Sequence, residues 1–190
     1  MAAIQEQSYP RPLKLTVDNF MALHEAGAFQ GLSKVELIDG ELLTMSPQHR
    51  PHVYAKTFLT IRLFRALELL KSPLVPLVEG AIAMSEVDAP EPDIVLTAAP
   101  LGDGLIPLAS VQLAIEVADS SMPFDMRRKA ELYATHRIPE YWVLGIPTKT
   151  LEQMWLPSGG TYTQRRTIQI GELAESATIP GLFVETDGLV

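Results

Sequence analysis

The spacing of apolar residues changes several times along the chain, and each change marks an element. Phe20, Met21, Leu23 and Ala28 fit one face of a helix over 19–28. Thr16 or Asp18 is placed to cap it, and Gly27 and Gly31 mark its exit. Residues 35–45 form two apolar arms around Asp39-Gly40, a pair favoured in two-residue hairpin turns. Phe58, Leu59, Ile61, Leu63, Phe64, Leu67 and Leu70 then recur at helical spacing, which predicts a long helix over 51–70, stopped by Ser72-Pro73.

The next apolar runs are strand-sized: 74–78, 81–84, 94–97, 111–117 and 141–144. A helix over 124–136 separates the last two and makes a strand-helix-strand unit. Residues 151–156 and 161–167 can pair across Pro157-Ser158-Gly159-Gly160. Segments 85–92 and 98–108 read as loops, the first acidic and proline-rich. Because hairpins and a strand-helix-strand unit coexist, the expected fold is α/β. Its central sheet is mixed and flanked by at least three helices.

Composition narrows this picture. A chain of 190 residues with 47% apolar content can bury a sizeable core. It suits one domain over 15–190 behind an N-terminal arm of 1–14. Cysteine is absent, which excludes disulfides, thiolate metal sites and a cysteine nucleophile. No run approaches the roughly 18 apolar residues of a membrane span, and no signal-peptide pattern is visible. A cytoplasmic location is expected.

The formal net charge is −8. Proteins that grip phosphates tightly are usually basic over the binding domain. Any nucleic-acid contact must then come from a local basic patch, a second subunit or a separate partner. Arg127-Arg128 and Arg165-Arg166 are candidate patches, with solvated surface as the simpler reading of each.

Two carboxylates stand out. Asp93 follows Pro92 and leads into an apolar strand, and Glu116 sits near the end of another. Burying a carboxylate there costs several kcal/mol unless it is paired or bound to metal. Converging carboxylates repel, and a divalent cation relieves that repulsion. Oxygen ligands suit magnesium or manganese. The simpler alternative leaves each carboxylate solvated at a strand end.

Asp125, Lys129 and Tyr133 form a stripe on the 124–136 helix. An acid four places before a lysine is commonly a surface ion pair. A functional role requires the helix to turn Lys129 back toward Glu116, which the short loop after residue 117 permits. Lys129 would then orient a water or stabilise developing negative charge. Glu36 alternates with Val35 and Leu37 and so shares a face with Ile38, an odd place for a free carboxylate. His52 is positioned either to cap the long helix or to reach the site. Tyr141 and Trp142 follow a core pattern. Phosphate-loop, dinucleotide and serine-elbow signatures are all absent.

Taken in order, these segments resemble the Uma-two family, a domain of unknown function grouped with restriction endonucleases. The resemblance rests on Glu36-Leu37-Ile38-Asp39-Gly40, Met45-Ser46-Pro47 with His52, and Pro92-Asp93. It continues through Ile115-Glu116-Val117, Asp125-x-x-x-Lys129-x-x-x-Tyr133 and Ile138-Pro139-Glu140-Tyr141-Trp142. It implies a restriction-endonuclease-like core of the PD-(D/E)XK type. Asp93 and Glu116 match that signature's two acids, and Glu36 matches the acid that precedes them. The signature lysine belongs at 118, where this chain has Ala118. The resemblance makes Lys129 its migrated replacement.

It further implies magnesium-dependent cleavage of phosphodiester bonds, with manganese as an alternative ion. Asp93, Glu116 and the Val117 carbonyl would hold the metal, Lys129 would position water, and Glu36 would order that ion or bind a second. His52, Asp125 and Tyr133 would be auxiliary. DNA is the expected partner. A homodimer is also expected, since small nucleases of this fold often pair. The rival expectation is an inactive module of the same fold that serves oligomerisation or protein binding.

Overall fold

A computed structural model describes residues 12–190, so residues 1–11 of the expected arm lie outside the described residues. Helix α1 runs Val17–Glu25. The Thr16 hydroxyl accepts from the Asn19 N–H at 3.2 Å, and the Asn19 side chain accepts from the Thr16 N–H at 3.1 Å. This reciprocal cap starts the helix two residues earlier than the apolar pattern suggested. Gly27 follows at φ 74°, so Ala28 lies beyond the helix and is exposed.

Strands β1 (Val35–Ile38) and β2 (Glu41–Thr44) form a separate antiparallel hairpin. Its turn residues Asp39 and Gly40 take φ 53° and 68°, the paired positive values that a type I′ turn needs. The hairpin is attached to the loop before the central sheet through a bridge between Leu37 and Ala89.

Helix α2 runs Arg50–Leu69. Its buried apolar stripe is Ala55, Leu59, Leu63 and Leu67, each four after the last. Phe58, Ile61, Phe64 and Leu70 fit the same apolar pattern but are exposed. The helix covers one face of a sheet and has room to bury only one stripe.

The remaining strands are β3 (Val75–Val78), β4 (Ile82–Ala83), β5 (Ile94–Thr97), β6 (Ile106–Pro107) and β7 (Val111–Ala118). They continue with β8 (Glu140–Gly145), β9 (Thr150–Ser158), β10 (Thr161–Gln169), β11 (Leu173–Glu175) and β12 (Phe183–Glu185). Six of them make the mixed central sheet, in the order β10-β9-β8-β7-β5-β3. Only β7 and β8 run parallel within it. The turn between β9 and β10 is narrower than expected: Gly159-Gly160 make it, and Pro157 already pairs with Tyr162.

Between β7 and β8 the chain is helical from 122 to 135. It starts as α3 (Met122–Phe124), widens to a π turn over Asp125–Lys129 and continues as α4 (Ala130–Thr135). The expected uniform α-helix over 124–136 is therefore corrected. Single π turns inside helices recur at functional sites.

Alternation sorts the central strands onto two cores. Ile94, Leu96, Leu113, Ile115 and Val117 pack with the α2 stripe. Val95, Ala114 and Ala118 pack on the opposite face with Tyr133 and Tyr141. Position 118, which the signature would give to lysine, is thus a fully buried alanine facing α4.

Candidate active site

Strand register brings the two acids together. Ile94 pairs with Ile115 in the antiparallel β5–β7 ladder. One step further along, that register sets Asp93 opposite Glu116. Directly opposed residues share a face, with Cβ atoms about 4.5–5.5 Å apart. Like charges so placed repel unless a cation intervenes. Both are buried, Asp93 at 4% and Glu116 at 3% exposure.

The carboxylates differ in environment. Asp93 Oδ2 accepts from the Val117 N–H at 2.8 Å and lies 3.3 Å from His52 Nε2. Its Oδ1 lies 3.4 Å from Gln48 Nε2 and 3.8 Å from Lys56 Nζ. Burial alone would push this carboxyl up. The His52 ring, the Lys34 ammonium and the Val117 N–H outweigh it and hold the group down at about 2. Asp93 is therefore ionised across the neutral range.

Glu116 points toward α4. Its Oε1 accepts from Lys129 Nζ at 2.8 Å and from the Tyr133 hydroxyl at 2.9 Å. Burial pushes this carboxyl up to about 8, against the lowering pull of Lys129. Lys129 itself is 1% exposed. Burial pulls its ammonium down, but Glu116, Glu36 and Asp125 raise it well above the usual lysine range. It remains charged wherever the protein is folded near neutrality.

Glu36 completes this buried group from behind. Its Oε1 accepts from Lys129 Nζ at 3.0 Å and from the Glu91 N–H at 3.0 Å, and Lys34 Nζ is 3.5 Å away. Oε2 of Glu36 is buried without a hydrogen-bond partner. Asp125 is 2% exposed and carries a carboxyl raised chiefly by burial.

The group opens into a cleft of roughly 400 Å³. Asp93, Glu116, Val117, Lys129, His52 and Asp125 all line it, whereas Glu36 and Tyr133 do not. Glu36 therefore lies behind Lys129 rather than at the cleft surface. His52 reaches the site instead of capping α2; His49 holds the cap position and makes no side-chain cap bond. The Arg pairs lie elsewhere. Arg128 contacts Glu41 at 3.0 Å, and Arg166 contacts Gln153 and the Glu175 carbonyl. Tyr141 and Trp142 are fully buried core residues.

Sequence reasoning missed Lys34, Lys56, Gln48, Glu79 and Glu91. Lys56 Nζ bonds Gln48 Oε1 at 2.7 Å and Glu79 Oε1 at 2.5 Å, although Lys56 is only 7% exposed. A signal for it existed: Lys56 sits four after His52 and three before Leu59, on the buried stripe of an amphipathic helix. Lys34 is the residue just before β1, and neither spacing nor periodicity marks it.

Does the donor set suit a divalent cation? Among the described residues no three Asp, Glu or His side chains converge on one point. Two carboxylates, Asp93 and Glu116, do line one cleft, and the Val117 backbone adjoins Glu116 there. The Ala118 carbonyl accepts from the Ile146 N–H on the β8 side. Strand neighbours face opposite edges, so Val117 turns its peptide groups toward β5, as its bond to Asp93 requires. Glu116 Oε1 is occupied by Lys129 and Tyr133, while Oε2 takes part in neither bond. Hard oxygen donors with room for water fit magnesium or manganese.

The sequence pattern of the Uma2 family, described as "Putative restriction endonuclease", matches residues 17–187. Five solved chains are similar in structure. One is described as a "putative nuclease belonging to DUF820" from Anabaena variabilis. It is 14% identical, and the alignment covers 87% of this chain and 89% of that one at a TM-score of 0.67. No curated protein matches the chain. No helix among the described residues is long and apolar enough to cross a membrane.

Proposed function

The chain belongs to the Uma-two family, and from that membership we propose that it is a metal-dependent nuclease whose active site is the Asp93–Glu116 cleft. The observation that carries the proposal is the placement of two buried carboxylates directly across the β5–β7 pair, at the mouth of a cleft. Nothing about the core requires acids there; burial and the Asp93 charge both push the Glu116 carboxyl up, and a bound cation would oppose both.

Asp93, Glu116 and the Val117 carbonyl would hold magnesium or manganese. That ion would polarise a phosphate oxygen and make its bound water a better nucleophile. Asp93 arrives already ionised. Lys129 keeps one oxygen of Glu116 fixed and turns the other toward the cleft. It also adds positive charge near the phosphate, where negative charge grows during displacement. Tyr133 fixes the same Glu116 oxygen from the second side, and Glu36 locks Lys129. His52 orients Asp93. Nucleic acid is the substrate, and DNA is the proposed form.

The test is cleavage of single- and double-stranded DNA and of RNA with magnesium or manganese, by wild type and by Glu116→Gln. Cleavage by wild type and at least hundredfold less by the variant is expected, at unchanged fold. Magnesium should also raise the melting temperature of wild type and not that of Asp93→Asn. A wild type that neither cuts nor responds to either metal ends this reading.

One feature favours a second role beside the first. Tyr54, Phe58, Ile61 and Phe64 form an exposed apolar stripe along α2, opposite the face that carries Lys56. Exposed apolar surface of this kind is a mark of association. The stripe is proposed as the seam with a second copy of the chain. Light scattering on Phe58→Asp would then show monomer where wild type shows dimer.

A further inference from the structure

We propose that a second cleft, next to the Asp93–Glu116 site, receives an unstacked nucleobase of the nucleic acid; this rests on the nuclease reading above. The cleft measures roughly 360 Å³ and is lined by Met21, His24, Phe29, Ser33, Glu79 and Glu91, among others. That is within the roughly 300–1,000 Å³ of small-ligand sites. Between it and the acidic cleft lies a recess of roughly 260 Å³ that shares walls with both. Lys34 lines all three cavities. Gln48 is shared by the acidic cleft and the recess, and Glu79 and Glu91 by the recess and the second cleft. The three make one trough with a lysine at its centre.

The chemistry along the trough changes in the order a nucleotide requires. At one end are the carboxylates proposed to hold a metal at the scissile phosphate. In the middle is the Lys34 ammonium, 3.5 Å from Glu36 and 4.0 Å from Glu91. It can hold the adjoining phosphate. At the far end are aromatic faces. Phe29 stacks on Phe20 with ring centroids 5.4 Å apart, and His24 stands 6.3 Å from Phe29 at 47°. Phe29 is half-buried and His24 exposed, so both offer surface to a ligand. Beside them stands Glu79, whose Oε1 is taken by Lys56 and Gln48, which leaves Oε2 to accept from an exocyclic amino group. A cleft kept only as a packing defect would not need acids and a lysine at its rim. A base locked in a duplex cannot enter such a side cleft without leaving its stack. The trough therefore suits single-stranded or locally unpaired nucleic acid.

The test uses full-length wild-type protein in calcium with fluorescent 12-nucleotide single strands, each carrying one abasic site at a different position. An abasic site at one defined position should weaken binding about tenfold, because base–aromatic stacking is lost there. Abasic sites elsewhere should have little effect. His24→Ala, which removes an exposed ring, and Phe29→Leu, which removes the aromatic face but leaves an apolar side chain against Phe20, should weaken the intact strand and abolish its sensitivity to the abasic site. Equal weakening at every position, or variants that bind as wild type does, overturns the subsite. Magnesium-dependent cutting is scored separately. Cutting without positional sensitivity refutes the subsite and leaves the nuclease reading standing, whereas absence of any nucleic-acid binding refutes both.

Discussion

Replacing Lys129 by Met tests the centre of the site without touching either proposed metal-ligand carboxylate. Lys129 is 1% exposed and lies 2.8 Å from Glu116 and 3.0 Å from Glu36. Removing one partner of a buried ion pair costs about 3–5 kcal/mol, because the other charge stays buried alone. Here two carboxylates lose their cation. Tyr133 still donates to Glu116, and Lys34 still stands 3.5 Å from Glu36. Those remaining partners place the expected loss at about 3–4 kcal/mol. In a chain of this length that lowers the melting temperature by roughly 6–15 °C. The deficit should depend on pH. Burial raises the wild-type Glu116 carboxyl to about 8, and loss of the ammonium raises it further. Both folded proteins therefore hold a proton that the unfolded chain, near about 4.3, does not, and both lose stability as pH rises toward about 8. Above about 8 the wild-type carboxyl is ionised and its loss ends, whereas the variant's continues. The wild-type ammonium is raised in the fold, so its contribution persists until lysine deprotonates in the unfolded chain, above this window. Urea denaturation at about pH 7 and pH 9 reads both effects. A Lys129→Met protein within about 0.5 kcal/mol of wild type at pH 9, or with a deficit no larger at pH 9 than at pH 7, refutes the buried-triad reasoning.

Other predictions concern sites away from the triad. Glu140 is fully buried and accepts from Trp142 Nε1 at 2.6 Å, Ser176 Oγ at 2.6 Å and Thr178 Oγ1 at 2.7 Å, as well as the Ala177 and Thr178 N–H groups. Glu140→Ala should therefore cost about 3 kcal/mol or more and speed amide exchange over 176–179, read by denaturation and hydrogen exchange. Glu91 is raised to about 7, chiefly by burial, so the folded state holds its proton longer than the unfolded chain does. Wild-type stability should fall between about pH 4.5 and 7 by an amount that Glu91→Gln removes, seen as a flatter pH profile in thermal melts. Thr16→Ala deletes the α1 capping box and should cost about 1 kcal/mol in denaturant midpoint.

The mixed sheet was legible because its strands are short apolar runs bounded by proline and glycine. The Ile94–Thr97 strand matched to the residue, and the Asp39-Gly40 turn adopted the backbone that its pair of residues favours. Helix α2 was legible in extent but not in orientation. Its apolar residues surround more than one face, so periodicity could not choose the Leu59-Leu63-Leu67 stripe over Phe58 and Ile61. Of the site, Asp93, Glu116, Glu36, Lys129, Tyr133 and His52 do come together, and Asp125 joins them at the rim of the cleft. Glu36 differs in kind: the family resemblance implied a place at the ion, and the fold sets it behind Lys129. Lys34 and Lys56 could not have been foreseen fully. Lys56 bonds Glu79 and Lys34 faces Glu91 as well as its near neighbour Glu36, and single-chain periodicity carries no information about the distant pairings.

A net charge of −8 weighed against nucleic-acid binding when spread over the whole surface. The fold redistributes it. Lys34, Lys56 and Lys129 are all buried or half-buried around Asp93, Glu116 and Glu36, so cations concentrate where substrate phosphate would arrive. One arginine of each pair outside this cluster is already engaged by a protein acceptor, Arg128 by Glu41 and Arg166 by Gln153. Affinity that comes from such an enclosed cluster behaves differently from affinity that comes from a basic surface. Few phosphates are contacted, so few counterions are released, and binding should weaken only shallowly with salt. It should also depend steeply on the divalent cation, since without one the approaching phosphate meets Asp93 ionised at the cleft wall. The balance of charge that argues against a general nucleic-acid binder is therefore the balance expected of a site that admits one phosphodiester at a time, with its metal.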